Sequence, residues 1–279
     1  MKAESAAHAA QVLRASDRDC YLSTLILPAS ARDAVTALYA FNAEIASVPE
    51  RVRDPAAGEI RLRWWSDALD GNGHGEVRAN PVADALLSAV EQYALPMAAL
   101  QRLIEARRFD LYQDPMPDVG TFEGYAGDTV SALYQVAAMI LNGGKPMESG
   151  DAAGHLGVAH AFIGHLRAFG YNASRGRIFL PWTIFAAHGV SDADVLGGRS
   201  NPGLVEALEQ IVDIARDHLV KGETALKQLE PQLRPAFGIV AILRPQLARV
   251  DLDHPFAHQA DIAEWRKIAR LAVWRLRSG

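Results

Sequence analysis

Acidic residues four positions apart are the first candidates for chemistry in this chain. Asp110 and Asp114 have this spacing, as do Asp213 and Asp217. On a helix, a spacing of four puts both carboxylates on one face, where oxygen ligands can hold Mg²⁺. Asp114 directly precedes a proline, however, and Arg216 lies between the members of the second pair. We therefore interpret both pairs as solvated helix faces and predict no metal site at either.

Histidine and cysteine offer no stronger site. His155, His160 and His165 recur every five residues, a step that rotates a helix by about 140°. Their rings therefore do not share a face, and the spacing is not that of a zinc site. His165 falls on an apolar stripe, which favours a buried core histidine. The one cysteine, Cys20, is followed by apolar residues, which favours a packing role and indicates a reducing compartment.

The composition narrows the function classes further. Hydrophobic residues make up 49% of the chain and the formal net charge is −5. The first value predicts a sizeable core, and the second argues against a nucleic-acid partner. No apolar run approaches the roughly 20 residues of a membrane span, and the first twenty residues lack the apolar segment of a signal peptide. We expect a cytoplasmic protein, at most attached peripherally to the inner membrane.

Apolar residues recur at intervals of three and four along almost the whole chain. From Leu208 to Leu229 the intervals between apolar residues alternate between four and three over three heptads. This pattern predicts a long helix packed along a neighbouring helix. Strand signals are almost absent, so we predict an all-α single domain over residues 1–279 with its core in about 15–250. The predicted helices cover about residues 5–20, 30–50, 58–70, 82–94, 97–113, 121–142, 152–171, 181–188, 203–230 and 234–249, with a last one at 260–276.

Small residues form a column on one of these predicted helices. Gly157, Ala161, Gly164 and Ala168 follow one another at steps of four, three and four. Such a column either lets a neighbouring helix pack closely or leaves an apolar pocket, for example for an isoprenoid or lipid tail. Close packing is the favoured reading, and the pocket stays an open alternative.

Two sequence runs resemble the squalene/phytoene synthase family. Residues 25–41 read LILPASARDAVTALYAF, and residues 164–181 read GHLRAFGYNASRGRIFLP. Residues 58–69 (GEIRLRWWSDAL) and 125–132 (YAGDTVSA) follow in matching order. The resemblance covers about residues 15–250. It implies an isoprenoid-synthase-like helical bundle around a central cavity, in which two facing helices carry paired aspartates that hold magnesium and the substrate diphosphate.

The positions that match those aspartates carry other residues in this chain. The first pair falls on Ala46 and Glu50, and the second falls on Ala168 and Asn172. Three of four carboxylates are therefore missing. Asp19 stands where family members often have a serine that contacts diphosphate, and its charge would repel a phosphate. We accordingly predict no catalytic residue and no metal or other cofactor.

The residues around these altered positions resemble one branch of that family. Residues 41–48 (FNAEIASV) and 164–168 (GHLRA) are similar to the branch that contains a respiratory complex I assembly factor. This resemblance implies a noncatalytic protein whose partners are complex I subunits or assembly factors. Two alternatives stay open, a prenyl-transferring enzyme with altered magnesium ligands and an isoprenoid or lipid carrier.

Several basic residues surround the place where the cavity should open. In an active family member, arginines there help to hold diphosphate, but they could equally form local ion pairs with Glu50, Asp54 and Glu59. Arg61 belongs to this cluster as well. The candidate ligand-binding residues are Tyr39, Arg51, Arg53, Arg63, Arg167, Arg175 and Arg177.

The last predicted helix is both basic and amphipathic. Its basic residues are Arg266, Lys267, Arg270, Arg275 and Arg277, and its apolar stripe is Ile262, Trp265, Ala269, Ala272 and Leu276. Basic residues near a helix C-terminus complement the helix dipole. The alternative is contact with an anionic membrane surface, aided by Trp265 and Trp274.

Overall fold

The computed structural model describes residues 1–73, 75–147 and 149–278, and none of these residues lies in a β-strand. The all-α prediction is therefore confirmed. The α-helices of this described part are α1 (Ala3–Ser16), α2 (Arg18–Thr24), α3 (Ala29–Ala46), α4 (Val48–Arg51), α5 (Pro55–Leu69), α6 (Pro81–Tyr93), α7 (Met97–Arg107), α8 (Val119–Ala126), α9 (Ala132–Leu141), α10 (Gly150–Arg167), α11 (Phe169–Ser174), α12 (Trp182–Ala187), α13 (Asp192–Leu196), α14 (Pro202–Leu226), α15 (Val240–Leu247) and α16 (Glu264–Ser278).

The predicted helices exist, but several are divided. The helix predicted at 5–20 breaks at Asp17, whose carboxylate accepts a hydrogen bond from the Cys20 backbone N–H at 2.9 Å and so caps α2. Gly127–Ser131 forms one π-helical turn between α8 and α9. The sequence reading missed α13, which begins with a capping box between Ser191 and Asp194.

The long helix α14 packs along α10, as its heptad pattern predicts. Leu208, Ala215 and Leu219 are buried on the face towards the core. Close approach of the two helices depends on Gly222, because a Cβ at this position would lie 2.5 Å from Leu156 Cγ. Gly222 therefore lets α14 pack closely against α10, which ends at Arg167.

The chain after α15 returns across the end of α10. The backbone of Phe256 lies against α11, where a Cβ on Gly170 would come within 2.1 Å of the Phe256 carbonyl oxygen. The chain then enters α16, whose Leu271 packs with Leu22 of α2 and Ile242 of α15. The helix predicted at 260–276 therefore begins later, at Glu264, and the preceding residues form part of the candidate site.

Candidate functional site

The four positions matched to the aspartate motifs lie where the two helices that carry them break. Ala46 is the last residue of α3, and Glu50 lies in the single turn of α4. Ala168 separates α10 from α11, which holds Asn172. The helices predicted at 30–50 and 152–171 are thus both interrupted. At the first break, Pro49 cannot continue the regular hydrogen bonding of α3.

These side chains do not fit a magnesium site. Ala46 and Ala168 offer no oxygen ligand, and Glu50 is already a hydrogen-bond acceptor for Tyr171. Among the residues that the structure describes, no group of three or more His, Cys, Asp or Glu is arranged to hold a metal ion. Tight Mg²⁺ binding requires convergent oxygen ligands, and this arrangement does not supply them.

Tyr171 joins the two motif segments. Its hydroxyl donates a hydrogen bond to Glu50 Oε1 at 2.7 Å, from α11 to α4. This bond raises the pKa of Tyr171, because ionisation would place a second negative charge beside the carboxylate. The Arg175 guanidinium lies over the Tyr171 ring, 4.8 Å from its centroid. The remaining carboxylate of the first motif therefore ties the two segments together across the protein surface.

The predicted arginine cluster divides into separate local contacts. Arg51 pairs with Glu44 at 3.4 Å, and Arg63 pairs with Asp67 at 2.7 Å. These partners differ from those that the sequence suggested. Glu59 lies instead 3.3 Å from Arg108.

The predicted arginines are divided between two grooves. Arg53 and Arg177 line a groove of about 430 Å³ beside α4, together with Tyr112 and Gln113. Arg51 and Arg61 line a smaller groove of about 230 Å³ beside Trp64. The structure therefore does not assemble all the candidate arginines around a single anion.

Arg167 is held by an acid that sequence reasoning missed. Its guanidinium donates to Asp261 Oδ1 at 2.9 Å, and Lys267 donates to the other oxygen of this carboxylate at 2.6 Å. Lys267 also donates to Asp19 at 2.6 Å, and Gln246 donates to the second Asp19 oxygen at 2.7 Å. Burial alone would raise the pKa of Asp261, but the bond from Lys267 holds it below its ordinary value.

This network corrects two predictions. Lys267 was assigned to the basic surface of the last helix, but it is 4% exposed because Asp19 and Asp261 both bind its ammonium group. Asp19 is not a free charge directed at a phosphate, since Lys267 neutralises it. No local pattern could have signalled these pairs, because Asp19 and Lys267 are 248 positions apart.

A second buried network braces the end of α3. Arg107 donates to Asp110 at 3.1 Å, to the Tyr125 hydroxyl at 2.7 Å and to Asn42 at 3.2 Å. Asp110 is buried, so the prediction that it lies on a solvated face is wrong. Its burial is possible because both oxygens accept charged or hydroxyl donors. The other predicted pair is exposed as expected, with Asp217 bound to Lys221.

The small-residue column is closed at one end and open at the other. A Cβ on Gly157 would lie 2.1 Å from Ser131 Oγ, so α10 packs closely on the π-helical turn there. A Cβ on Gly164 would meet no heavy atom within 4 Å, and Gly164 is exposed. Close packing is therefore present near Gly157, while open space remains beside Gly164.

Deeper in the fold, Tyr39 is buried and neutral, since burial raises the pKa of its phenol. The Tyr134 hydroxyl lies 2.9 Å from His160 Nδ1, and burial lowers the pKa of this histidine. His165 stacks on Phe179 with ring centroids 4.8 Å apart, and burial lowers its pKa to about 3. These neutral groups suit an apolar interior and do not supply a charged site.

The predicted apolar stripe of the last helix is exposed on α16, whereas Ile262, which precedes the helix, is buried. Trp265 and Leu276 are 67% and 83% exposed, and Ala269 and Ala272 are also exposed. The helix contacts the protein through Lys267, Leu271 and Trp274. The predicted apolar stripe from Trp265 to Leu276 therefore points away from the protein. No helix within the described residues is long and apolar enough to cross a membrane.

Comparison with known proteins places these features in one family. The sequence profile of squalene/phytoene synthase matches residues 13–266. The human protein named NADH dehydrogenase (ubiquinone) complex I, assembly factor 6 is 31% identical over 270 residues, covering 92% of this chain and 81% of that protein. A 15-cis-phytoene synthase from Synechococcus elongatus is 27% identical, covering 92% of this chain and 88% of that protein. A dehydrosqualene synthase crystal structure matches with a TM-score of 0.83 at 20% identity, covering 99% and 98% of the two chains.

Proposed function

The chain belongs to the squalene/phytoene synthase family, and we propose that it is a noncatalytic member that takes part in the assembly of respiratory complex I. The observation that supports this most directly is the side-chain set at the two motif positions. Ala46 and Ala168 have no ligand oxygen, and Glu50 is bound by Tyr171. Prenyl transfer in this family depends on magnesium to stabilise the departing pyrophosphate.

The relatives and the Lys267 network support the same proposal. Relatives at about 30% identity carry the name complex I assembly factor 6, whereas phytoene synthases from Synechococcus elongatus and Arthrospira platensis are less similar, at 27% and 23% identity. In addition, Asp261 binds both Arg167 and Lys267, and Asp19 supplies the second negative charge by binding Lys267 as well. Two cations that could attract a diphosphate are therefore already neutralised by the chain itself.

A tagged copy of the full chain, expressed in its source cells, tests the assembly role. We expect complex I subunits or their assembly factors to be enriched over an untagged control, and fully assembled complex I to decrease when the gene is deleted. Normal complex I levels in the deletion strain, with no enrichment of subunits, would contradict the role.

The exposed surface beside Gly164 leaves room for a second candidate function, an isoprenoid or lipid carrier. Mass spectrometry of organic extracts of the purified protein tests it. We expect a copurifying isoprenoid or lipid if this function holds, and its loss in Gly164→Leu, whose side chain would enter the space. A clean extract from the wild type contradicts the carrier function and leaves the assembly proposal intact.

We propose a cytoplasmic location with peripheral attachment to the inner membrane through α16. The exposed Trp265 and Leu276 and the neighbouring Arg275 and Arg277 support this placement. Amphipathic helices with this composition lie in the plane of an anionic membrane surface. Such attachment would bring an assembly factor close to a membrane complex.

A further inference from the structure

A groove of about 560 Å³ runs between α15 and α16, beside the outward face of α16. Its apolar lining includes Val240 and Ile262, which are almost fully buried. The residues around it include five arginines and a single carboxylate. They are Arg244, Arg249, Arg266, Arg270 and Arg277, with Glu223.

Most of this positive charge has no acidic partner. Glu223 is bound by Arg244 at 2.5 Å. Arg249 donates to the Pro245 carbonyl oxygen at 3.2 Å, and the Arg266 guanidinium lies 5.1 Å from the Trp265 ring centroid. Among the ion pairs of the described residues, none includes Arg249, Arg266, Arg270 or Arg277. The groove therefore has a net positive charge of about four at its edge.

The charges and the apolar groups follow helical spacing. Arg266, Arg270 and Arg277 lie along one side of α16 at steps of four and seven, beside an apolar row formed by Trp265, Ala269 and Val273. Trp274 also lines the groove, and its buried indole N–H has no acceptor among the described residues.

We propose that this groove binds an acidic amphipathic helix of a partner protein, with its carboxylates on the arginines and its apolar side chains in the groove. The inference deepens the proposed partner-binding function. Arginine favours bidentate pairing with carboxylates, and a helix laid in a groove presents both groups at matching spacing. A flat lipid layer fits less well, because the site is a cleft between α15 and α16, and an inserted helix fills a cleft better than a flat surface does.

Site-specific photo-crosslinking in the full chain tests the proposal. A benzoylphenylalanine at Val273, beside the groove, is compared with one at Ile268, which has similar exposure on the other side of α16. We expect Val273 to crosslink a protein segment whose acidic residues recur at helical spacing. Arg266→Glu with Arg270→Glu should reduce the yield at least tenfold, whereas Arg216→Glu, at an exposed position of α14 outside the groove, should leave it unchanged.

Several results would overturn the proposal. They are a phospholipid crosslink with no crosslinked protein segment, equal yields from the two positions, a captured segment without acidic helical spacing, and a yield that resists charge reversal. Failure of the groove inference is distinguishable from failure of the assembly role. If the Arg266→Glu, Arg270→Glu variant still enriches complex I proteins, the assembly role stands and only the groove is wrong.

Discussion

The Tyr171 hydroxyl lies 2.7 Å from the Glu50 carboxylate and connects the segment after α10 to the segment after α3. Removing the hydroxyl with Tyr171→Phe should lower the free energy of unfolding by up to about 1 kcal/mol, because the bond is exposed to water. Chemical denaturation measures this change. In a double-mutant cycle with Glu50→Ala, which removes the acceptor, the double variant should lose less stability than the sum of the two single losses, and purely additive effects would show that the bond does not form in solution.

Disrupting the Lys267 network should lower the free energy of unfolding much more than Tyr171→Phe does. Lys267→Met leaves Asp19 and Asp261 without their shared cation, and we expect a loss of about 3 kcal/mol, at the lower end for a buried ion pair because Asp261 stays half exposed. Arg270→Met removes a charge from the exposed side of the same helix and should cost under about 0.5 kcal/mol. Equal losses in the two variants would contradict the burial of Lys267.

Alanine substitutions at two glycines of the small-residue column should change the stability of the fold in opposite directions. Gly157→Ala should destabilise the fold by about 1–3 kcal/mol, because the new methyl group collides with Ser131. Gly164→Ala should stabilise it by about 0.5–1 kcal/mol, because alanine is the better helix former and meets open space. Thermal and chemical unfolding of the two variants measure this difference. A loss of stability in Gly164→Ala would indicate that the space is filled.

Stability should decrease in mild acid because of His165. Its pKa is about 3 in the folded protein and about 6.5 in an unfolded chain. Between these values the unfolded state binds the extra proton, so folding becomes less favourable as the pH falls. From this residue we expect a free energy of unfolding about 2 kcal/mol lower at pH 5 than at pH 7. His165→Phe should reduce the pH dependence of the free energy of unfolding, whereas His8→Gln, at an exposed position, should leave it unchanged. Identical pH profiles for wild type and His165→Phe would contradict the role given to His165.

Removing the outward apolar face of α16 should weaken membrane attachment. We expect Trp265→Ala with Leu276→Ala to reduce co-sedimentation with vesicles rich in phosphatidylglycerol at least about tenfold, since each buried side chain contributes about 1.5–3 kcal/mol. Ile60→Ala removes an equally exposed apolar group from α5 and serves as the control. Binding that is insensitive to the α16 substitutions, or to lipid charge, would contradict the peripheral placement.

Local periodicity predicted the helices well, but it could not predict their breaks or their long-range pairs. The buried face of α14 follows directly from the heptad pattern around Leu208 and Leu219. The contact of Arg167 with Asp261 joins positions 94 apart in the chain, and no spacing rule anticipates it. The apolar stripe of α16 was read correctly as a pattern, but only tertiary structure shows that it faces outward, because Lys267 provides the buried contact.

The two motif runs located the candidate site more precisely than periodicity did. They placed Ala46 and Ala168 on two helices, and the structure adds that both helices end there. The hydrogen bond that Glu50 accepts from Tyr171 could not be predicted from the sequence, since the two residues are 121 positions apart. Chemistry that depends on converging side chains is therefore visible only in the folded chain.

Diphosphate turnover tests the noncatalytic claim most directly. The purified full chain is incubated with magnesium and farnesyl or geranylgeranyl diphosphate, with the phytoene synthase of Synechococcus elongatus as the active control. We predict pyrophosphate release no greater than in buffer alone and no coupled C30 or C40 product. Pyrophosphate release together with a condensed hydrocarbon product, from protein free of host synthase, would contradict the account.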